Sequence, residues 1–376
     1  MTRVRSFLSA LALVFVVAAC GSGGGGTTVV ESSSGLPDPN SLFRGDYGYA
    51  WIQGLQGVPD TVSSLYGTLT ADGAQNTLIT YTINAEGIIA MLPPEDEFVS
   101  QVEQDRVLEL GSFLPDVSIW RGAISDTGDV VCLASALTGY GTNAVVACRH
   151  DPGHSNASLN GTYWFIGHAG MAGLGVNYSS WGSITFDGAG AATMTIHGNV
   201  EGAIAGPNVE AVTYSVGPNG AFTLNLPGGN VVQGAVGAGG ELATAGGGIA
   251  AGDDPTFFLC VRQGAGYVDE DLHGAWHMVG FLHEFLPNDY TTFTGAARRS
   301  TMTTNFTLFG TLMRNADAEV QPPQNQDLTI DAMGNVTLEV TPGVSFRGGM
   351  SSDRRFIVLA GLDQPGLDPG WIFLMR

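Results

Sequence analysis

Polar and apolar residues alternate one for one through much of residues 159–262. Ser183-Ile184-Thr185-Phe186 and Thr193-Met194-Thr195-Ile196 are the clearest cases. A period of two is the signature of a strand with one face in a core and the other in water. Eight such segments follow one another: Thr162 to His168, Trp181 to Phe186, Ala192 to His197, Ala211 to Val216, Ala221 to Leu226, Val231 to Val236, Glu241 to Ala245 and Thr256 to Val261. Asp187-Gly188, Pro218-Asn219-Gly220 and Gly239-Gly240 separate several of them and favour tight hairpins. No stretch carries a helical stripe except Glu95 to Leu110, an acidic run expected to form a turn of helix or a loop.

The same pattern occurs three times. Tyr66-Gly67-Thr68-Leu69-Thr70-Ala71-Asp72-Gly73 matches Trp181-Gly182-Ser183-Ile184-Thr185-Phe186-Asp187-Gly188 at a shift of 115 residues. Ser215 to Leu224 matches Thr329 to Leu338 at a shift of 114. Each unit opens on Gly-x-aromatic (Gly45-Asp46-Tyr47, Gly161-Thr162-Tyr163, Gly274-Ala275-Trp276) and carries an Arg/Gln-Gly pair (Arg121-Gly122, Gln233-Gly234, Arg347-Gly348). Each closes on an apolar strand ending in arginine: Arg149, Arg262 and Arg376. A period of this length marks a tandem array. The expected domains are 1–19, a leader; 20–41, a tether; and β repeats at 42–150, 151–263 and 264–376, arranged in a row.

Eight short sequential strands in one repeat suit an antiparallel up-and-down meander. Closing it into a barrel removes both edges and encloses either side chains or one small ligand. A β-sandwich of similar strand count is the alternative. One transmembrane barrel of 24 strands is disfavoured, because the expected strands of five to seven residues are shorter than the roughly 9–11 that span a bilayer. The Gly-x-Tyr/Trp opening and terminal arginine resemble the calycin pattern of lipocalins and avidins. That resemblance implies that the arginine of the last strand covers the aromatic ring of the first at the closed barrel end: Tyr47 with Arg149, Tyr163 with Arg262, Trp276 with Arg376. An arginine over such a ring gains cation–π energy.

The N-terminus is of another kind. Arg3 and Arg5 precede an apolar stretch, Phe7 to Val17, that is too short to span a bilayer and has signal-peptide length. Val17-Ala18-Ala19-Cys20 resembles the lipobox of bacterial lipoproteins. The resemblance implies cleavage before Cys20, diacylglycerol and usually an N-acyl (palmitate-type) chain on that residue, and membrane anchorage. Glycine at position 21 implies the outer membrane if the host is Gram-negative. Gly21 to Asn40 is small, polar and without a core pattern, as a flexible tether would be.

Composition narrows the partners. The net charge is −21, and no lysine occurs. Nucleic acid and anionic headgroups repel such a chain, and Schiff-base or P-loop lysine chemistry is excluded. About 335 residues follow the tether, too many for one core. Cys132, Cys148 and Cys260 remain beside Cys20. Cys132 and Cys148 fall in the last two strands of the first repeat, where a disulfide is one expectation for an exported chain. Cys148, Cys260 and Met375 are read as equivalent, buried apolar positions.

Candidate chemistry is sparse. His273, His277 and His283-Glu284 cluster, but residues four apart on a strand lie about 13 Å apart, too far to share an ion. Asp72 and Asp187 precede glycine, where turn chemistry explains them. Glu86 and Glu201 recur between repeats; Asp253-Asp254 and Asp269-Glu270-Asp271 sit between strands and read as solvated loops. Neither a metal, a cofactor nor an enzyme activity is expected. The repeats keep scaffold positions and change polar ones, which favours a structural or interaction role with envelope proteins. Binding of small or apolar ligands inside the barrels is the alternative, and internal cavity volume separates the two.

Overall fold

A computed structural model describes residues 38–54, 62–85, 87–111, 118–135, 142–171, 176–200, 203–250, 252–284, 289–299, 305–314, 317–341, 344–361 and 370–376. Cys20 with its leader, and Glu86 and Glu201, fall outside them. The first repeat contributes β1 (Arg44–Gly54), β2 (Val62–Asp72), β3 (Asn76–Ala85), β4 (Ile88–Val102), β5 (Val107–Gly111), β6 (Ser118–Ile124), β7 (Val130–Ser135) and β8 (Thr142–Arg149). The second contributes β9 (Asn160–Met171), β10 (Val176–Asp187), β11 (Ala191–Val200), β12 (Ala203–Val216), β13 (Ala221–Asn225), β14 (Val231–Gly237), β15 (Leu242–Gly247) and β16 (Thr256–Arg262). The third contributes β17 (Gly274–Glu284), β18 (Asp289–Arg299), β19 (Asn305–Arg314), β20 (Asp317–Ile330), β21 (Asn335–Thr341), β22 (Val344–Met350), β23 (Phe356–Gly361) and β24 (Gly370–Met375).

Each set of eight closes into its own antiparallel meander barrel. First and last strands meet at Tyr47↔Arg149 and Tyr163↔Arg262, and at His277↔Met375 in the third barrel. This decides barrel over sandwich and rules out a single 24-strand cylinder. The strands are longer than the expected five to seven residues, however: the first four of each barrel run 10–15 residues, enough to span a bilayer.

The acidic run at 95–110 is neither helix nor loop. It forms the end of β4, a turn, and β5. The reason lies in the paired prolines just before it. Register jumps from Tyr81↔Leu92 to Ile79↔Glu95, so Pro93 and Pro94 leave the ladder as a bulge and the strand continues beyond them. Gly206-Pro207 and Pro322-Pro323 occupy the same bulge in the other barrels. Proline lacks the N–H a ladder needs, and a bulge is where it is tolerated.

The recurring Arg/Gln-Gly pair also has a local cause. A Cβ on Gly122, Gly234 or Gly348 would collide with the backbone carbonyl of Cys132, Thr244 or Val358 on the next strand. Strands six and seven approach too closely there for any side chain.

The three barrels are not a row. β1 and β2 lie on β14 and β15; β9 lies on β22 and β23, with β10 on β23; β17 and β18 lie on β6 and β7. The front of each barrel therefore meets the back of the next, and the cycle closes, as a head-to-tail ring of three does. One apolar core fills the centre, with Ile52, Val146 and Cys148 from barrel 1, Ile166, Phe257 and Leu259 from barrel 2, and Phe281, Trp371 and Phe373 from barrel 3. Phe257 stacks on Trp371 with ring centroids 4.5 Å apart. Strands seven and eight are consequently buried on both faces along their length. That is why the terminal strands read as continuous apolar runs rather than alternations. Polar ties flank the core: Arg355 donates to Asp129 at 3.0 Å, and the Ser352 hydroxyl to Glu241 at 2.5 Å.

The cysteines require two corrections. All three are free and buried. Cys132 faces Val146, and Cys148 faces Val130. The two thiols are thus diagonal neighbours rather than opposite one another, and diagonal partners lie beyond disulfide reach. Nor are the three apolar positions equivalent. Cys148 and Met375 precede their arginines by one residue and enter the central core; Cys260 precedes Arg262 by two and points into barrel 2. Burial raises the pKa of each, that of Cys132 to about 12, so none is a ready nucleophile.

Candidate binding cavity

The opening aromatic and the terminal arginine come together at the lower end of every barrel, with different contacts. The Tyr47 hydroxyl donates to Gly128 O at 2.6 Å, and Tyr163 donates to Gly240 O at 2.7 Å. Arg149 and Arg262 donate to those same carbonyls at 3.3 and 3.4 Å. The Arg262 guanidinium lies 5.2 Å from the centre of the Tyr163 ring, and Arg376 lies 4.2 Å from that of Trp276. Burial pushes both phenols well above their usual range, against the pull of the adjacent arginines. These six residues shut the bottoms of the barrels, so any opening lies at the other end.

That other end differs among the repeats. Two residues above each sealing aromatic come Tyr49, Phe165 and Met278; two further come Trp51, Gly167 and Gly280. The cross-strand partners of these last three are Leu65, Ser180 and Phe293, and the next partners are Ile83, Gly198 and Leu312. One interior layer therefore reads Trp-Leu-Ile in barrel 1 and Gly-Ser-Gly in barrel 2, and begins Gly-Phe in barrel 3.

Packing follows from those letters. In barrel 1 the Trp51 and Trp120 rings meet edge to face at 5.1 Å, Phe98 joins at 5.3 Å, and the Trp120 indole donates to Asn143 at 2.7 Å. The space left among Tyr49, Trp51, Leu110 and Trp120 is about 10 Å³. In barrel 3 a Cβ on Gly280 would fall inside the Phe293 ring, so phenylalanine takes the room glycine leaves. In barrel 2 only the small Ser180 side chain enters it, its hydroxyl 2.6 Å from where a Cβ on Gly167 would stand. A Cβ on Gly198 would meet only the Ser179 carbonyl, at 3.9 Å. The result is a cavity of about 310 Å³.

Phe165, Met194, Ile196 and Phe258 form its apolar floor and walls, while Tyr178, Ser180, Asn230 and Thr256 supply hydroxyl and amide groups. Asp253 and Asp254 stand at the mouth. Burial, and then the charge of Asp254, hold the Tyr178 phenol at a pKa of about 12, so it is a neutral donor at ordinary pH. An apolar body with convergent polar groups at one end is the ordinary form of a small-molecule site.

The other candidates scatter. Asp72 accepts from the backbone of Ala74 and Asn76, and Asp187 from that of Ala189, Gly190 and Ala191. Both serve turns, and those bonds hold both carboxyls below the usual range. Asp269 pairs with Arg299 at 2.6 Å and Asp271 with Arg354 at 2.8 Å, so this solvent-exposed run also carries ion pairs. The His277 pKa is lowered by burial and by nearby Arg106, while the backbone carbonyl of His273 accepts from Arg376. Among the described residues no group of three His, Cys, Asp or Glu side chains could hold a metal ion. Asp253-Asp254, read from sequence as a solvated linker, is the candidate pair that the fold brings to a cavity.

No protein-family model and no curated protein matches this chain. Among solved structures, kievitone hydratase from Nectria haematococca is 10% identical over 94% of this chain and 96% of its own, with a TM-score of 0.24. Transferrin binding protein B from Haemophilus parasuis is 9% identical over 88% and 74%, at 0.28. A DUF3598-family protein of unknown function from Nostoc punctiforme is 10% identical over 90% and 98%, at 0.17. Likenesses this slight carry no argument about what the chain does.

Proposed function

We propose that this chain is an exported lipoprotein, held to a membrane by lipid on Cys20, whose middle barrel binds a small amphipathic molecule. The observation that carries the reading is the void in barrel 2 at the layer where barrels 1 and 3 place Trp51 and Phe293. Its volume of about 310 Å³ falls at the lower end of the roughly 300–1,000 Å³ usual for ligand sites. The sequence-based preference for a purely structural role drew on the divergence of polar positions between repeats. Here that divergence is what one specialised barrel beside two scaffolding barrels would produce. A neutral naphthylamine dye that brightens in apolar surroundings tests it: the unaltered chain should enhance its emission, and Gly167→Trp should abolish the enhancement. Equal enhancement by both would end the ligand reading.

An interaction role retains one supporting observation. Met91 on β4 and Val209 on β12 are 81% and 68% exposed, as apolar contacts for an envelope protein would be. The anchor is tested apart from either reading, by mass spectrometry of membrane-extracted protein. An unmodified Cys20, or a mature chain beginning elsewhere, would remove it.

A further inference from the structure

Barrel 1 ties down the mouth of the cavity in barrel 2. The Ser64 hydroxyl donates to Gly247 O at 3.0 Å and accepts from the Thr256 N–H at 2.9 Å. The Asn84 amide donates to Gly248 O at 3.2 Å and Asp253 O at 3.0 Å, and the Gly252 N–H reaches Gly87 O at 2.9 Å. These mouth carbonyls and amides are therefore held before any ligand arrives, which lowers the ordering cost of binding.

Most polar side chains of the lining are already committed within the protein. The Asn230 amide donates to Thr256 Oγ1 at 2.7 Å and to Asp254 O at 3.1 Å, and its own side-chain oxygen is enclosed. The Thr256 hydroxyl donates to Asp254 O at 3.0 Å. The Asp253 carboxylate accepts from the Ala250 N–H at 2.9 Å, and Asp254 has contacts of its own. The His168 ring packs on Phe281 of barrel 3 at 5.1 Å. Two hydroxyls differ from these. Among the described residues, neither that of Tyr178 nor that of Ser180 has a hydrogen-bond partner.

Both stand on the inward face of β10. Ser180 pairs with Gly167 and Tyr178 with Ala169, so Tyr178 lies one layer nearer the mouth. At the level of Tyr178, β2 of barrel 1 carries Ser63 and β18 of barrel 3 carries Thr291. The barrel with the open layer is thus the one that sets a long phenol above it. Beneath the open layer Phe165 stacks on Phe258 with ring centroids 5.6 Å apart. The void is therefore apolar at depth and carries two O–H donors above. An occupant that displaces water without meeting those donors leaves them unsatisfied, at a cost in affinity. The lining holds no arginine to receive an anion, and an ammonium head brings donors where donors already stand. A carbonyl oxygen only accepts, and it carries no charge to desolvate.

We infer that the cavity takes an uncharged carbonyl compound, whose oxygen accepts from the hydroxyls of β10 and whose apolar body rests on Phe165, Met194, Ile196 and Phe258. This rests on the binding reading above and names its ligand class. The test is titration calorimetry of the full chain with four probes of similar shape: acetophenone, ethylbenzene, 1-phenylethylammonium and benzoate. Acetophenone should bind about three- to tenfold more tightly than ethylbenzene, as expected for a hydrogen bond between neutral groups, and both ions more weakly than acetophenone. Tyr178→Phe combined with Ser180→Ala should bring acetophenone down to the affinity of ethylbenzene and leave ethylbenzene unchanged. Ethylbenzene or the ammonium binding as tightly as acetophenone to the unaltered chain would overturn the ligand class while leaving the binding reading intact. So would an acetophenone preference that survives in the folded double variant. If none of the four binds, the class is also overturned, and the dye titration decides separately whether the cavity binds anything.

Discussion

Barrels 1 and 2 have the same topology, a similar tyrosine–arginine end and a share in one central core, yet among the described residues one interior layer is filled in barrel 1 and open in barrel 2. The difference sits in one layer. Trp51, Leu65 and Ile83 fill it in barrel 1, with Trp120 leaning in from β6; Gly167, Ser180 and Gly198 leave it open in barrel 2. The barrel therefore closes whether or not that layer is filled. The seal below it and the core outside it suffice, and the layer is free to be specialised. Barrel 3 makes the same point from an intermediate position, with glycine on one strand and Phe293 filling from the next.

The comparison can be broken at each of its terms. The largest effect is expected from Trp51→Gly, which removes the indole from barrel 1. A large-to-small change of this kind should cost about 3 kcal/mol, read as a lowered denaturant midpoint, and should give barrel 1 a dye site of its own. Phe293→Ser recreates the Gly-Ser pair of barrel 2 inside barrel 3. It should cost about 2 kcal/mol, less because that ring is only partly buried, and should raise dye stoichiometry from one to two per chain. Asn84→Ala sharpens the comparison from outside the cavity. It strips the donors from two mouth carbonyls and should destabilise by about 1–2 kcal/mol. Ligand affinity in barrel 2 should fall as well, although the substitution lies in barrel 1; an unchanged affinity would show that the inter-barrel ties do not shape the mouth.

The smallest effect is on pH dependence. Tyr178 ionises near pH 10 in the unfolded chain and at about 12 in the fold. The folded state therefore holds its proton longer. The corresponding stability is complete below pH 10 and is lost as pH rises toward 12. Melting temperatures should fall across that window, and Tyr178→Phe should make the fall shallower.

Most of the scaffold was legible in the sequence because it depends on local chemistry. Alternation located all eight strands of the second repeat, and threefold recurrence exposed Tyr47, Tyr163 and Trp276 with their arginines. What was missed depends on register, where a slip of one residue exchanges inside for outside. Cys260 was set beside Cys148 by proximity to the terminal arginine, and one residue of difference places them in separate cores. The unbroken apolar runs at 257–261 and 371–375 already signalled burial on both faces, hence a partner surface beyond the barrel wall. The recurring prolines at 93–94, 207 and 322–323 signalled a shared bulge. The cavity was written as Trp, Gly and Gly at positions 51, 167 and 280, but those letters acquire a meaning only once all three are known to point inward at the same height.

On the proposed reading one barrel in three is a binding site, kept open by Gly167. Fluorescence stoichiometry with the neutral naphthylamine dye tests this most directly. One site is expected per unaltered chain and none in Gly167→Trp, with the variant otherwise folded by its unfolding curve. A folded Gly167→Trp chain that still binds one equivalent with unchanged affinity would contradict it.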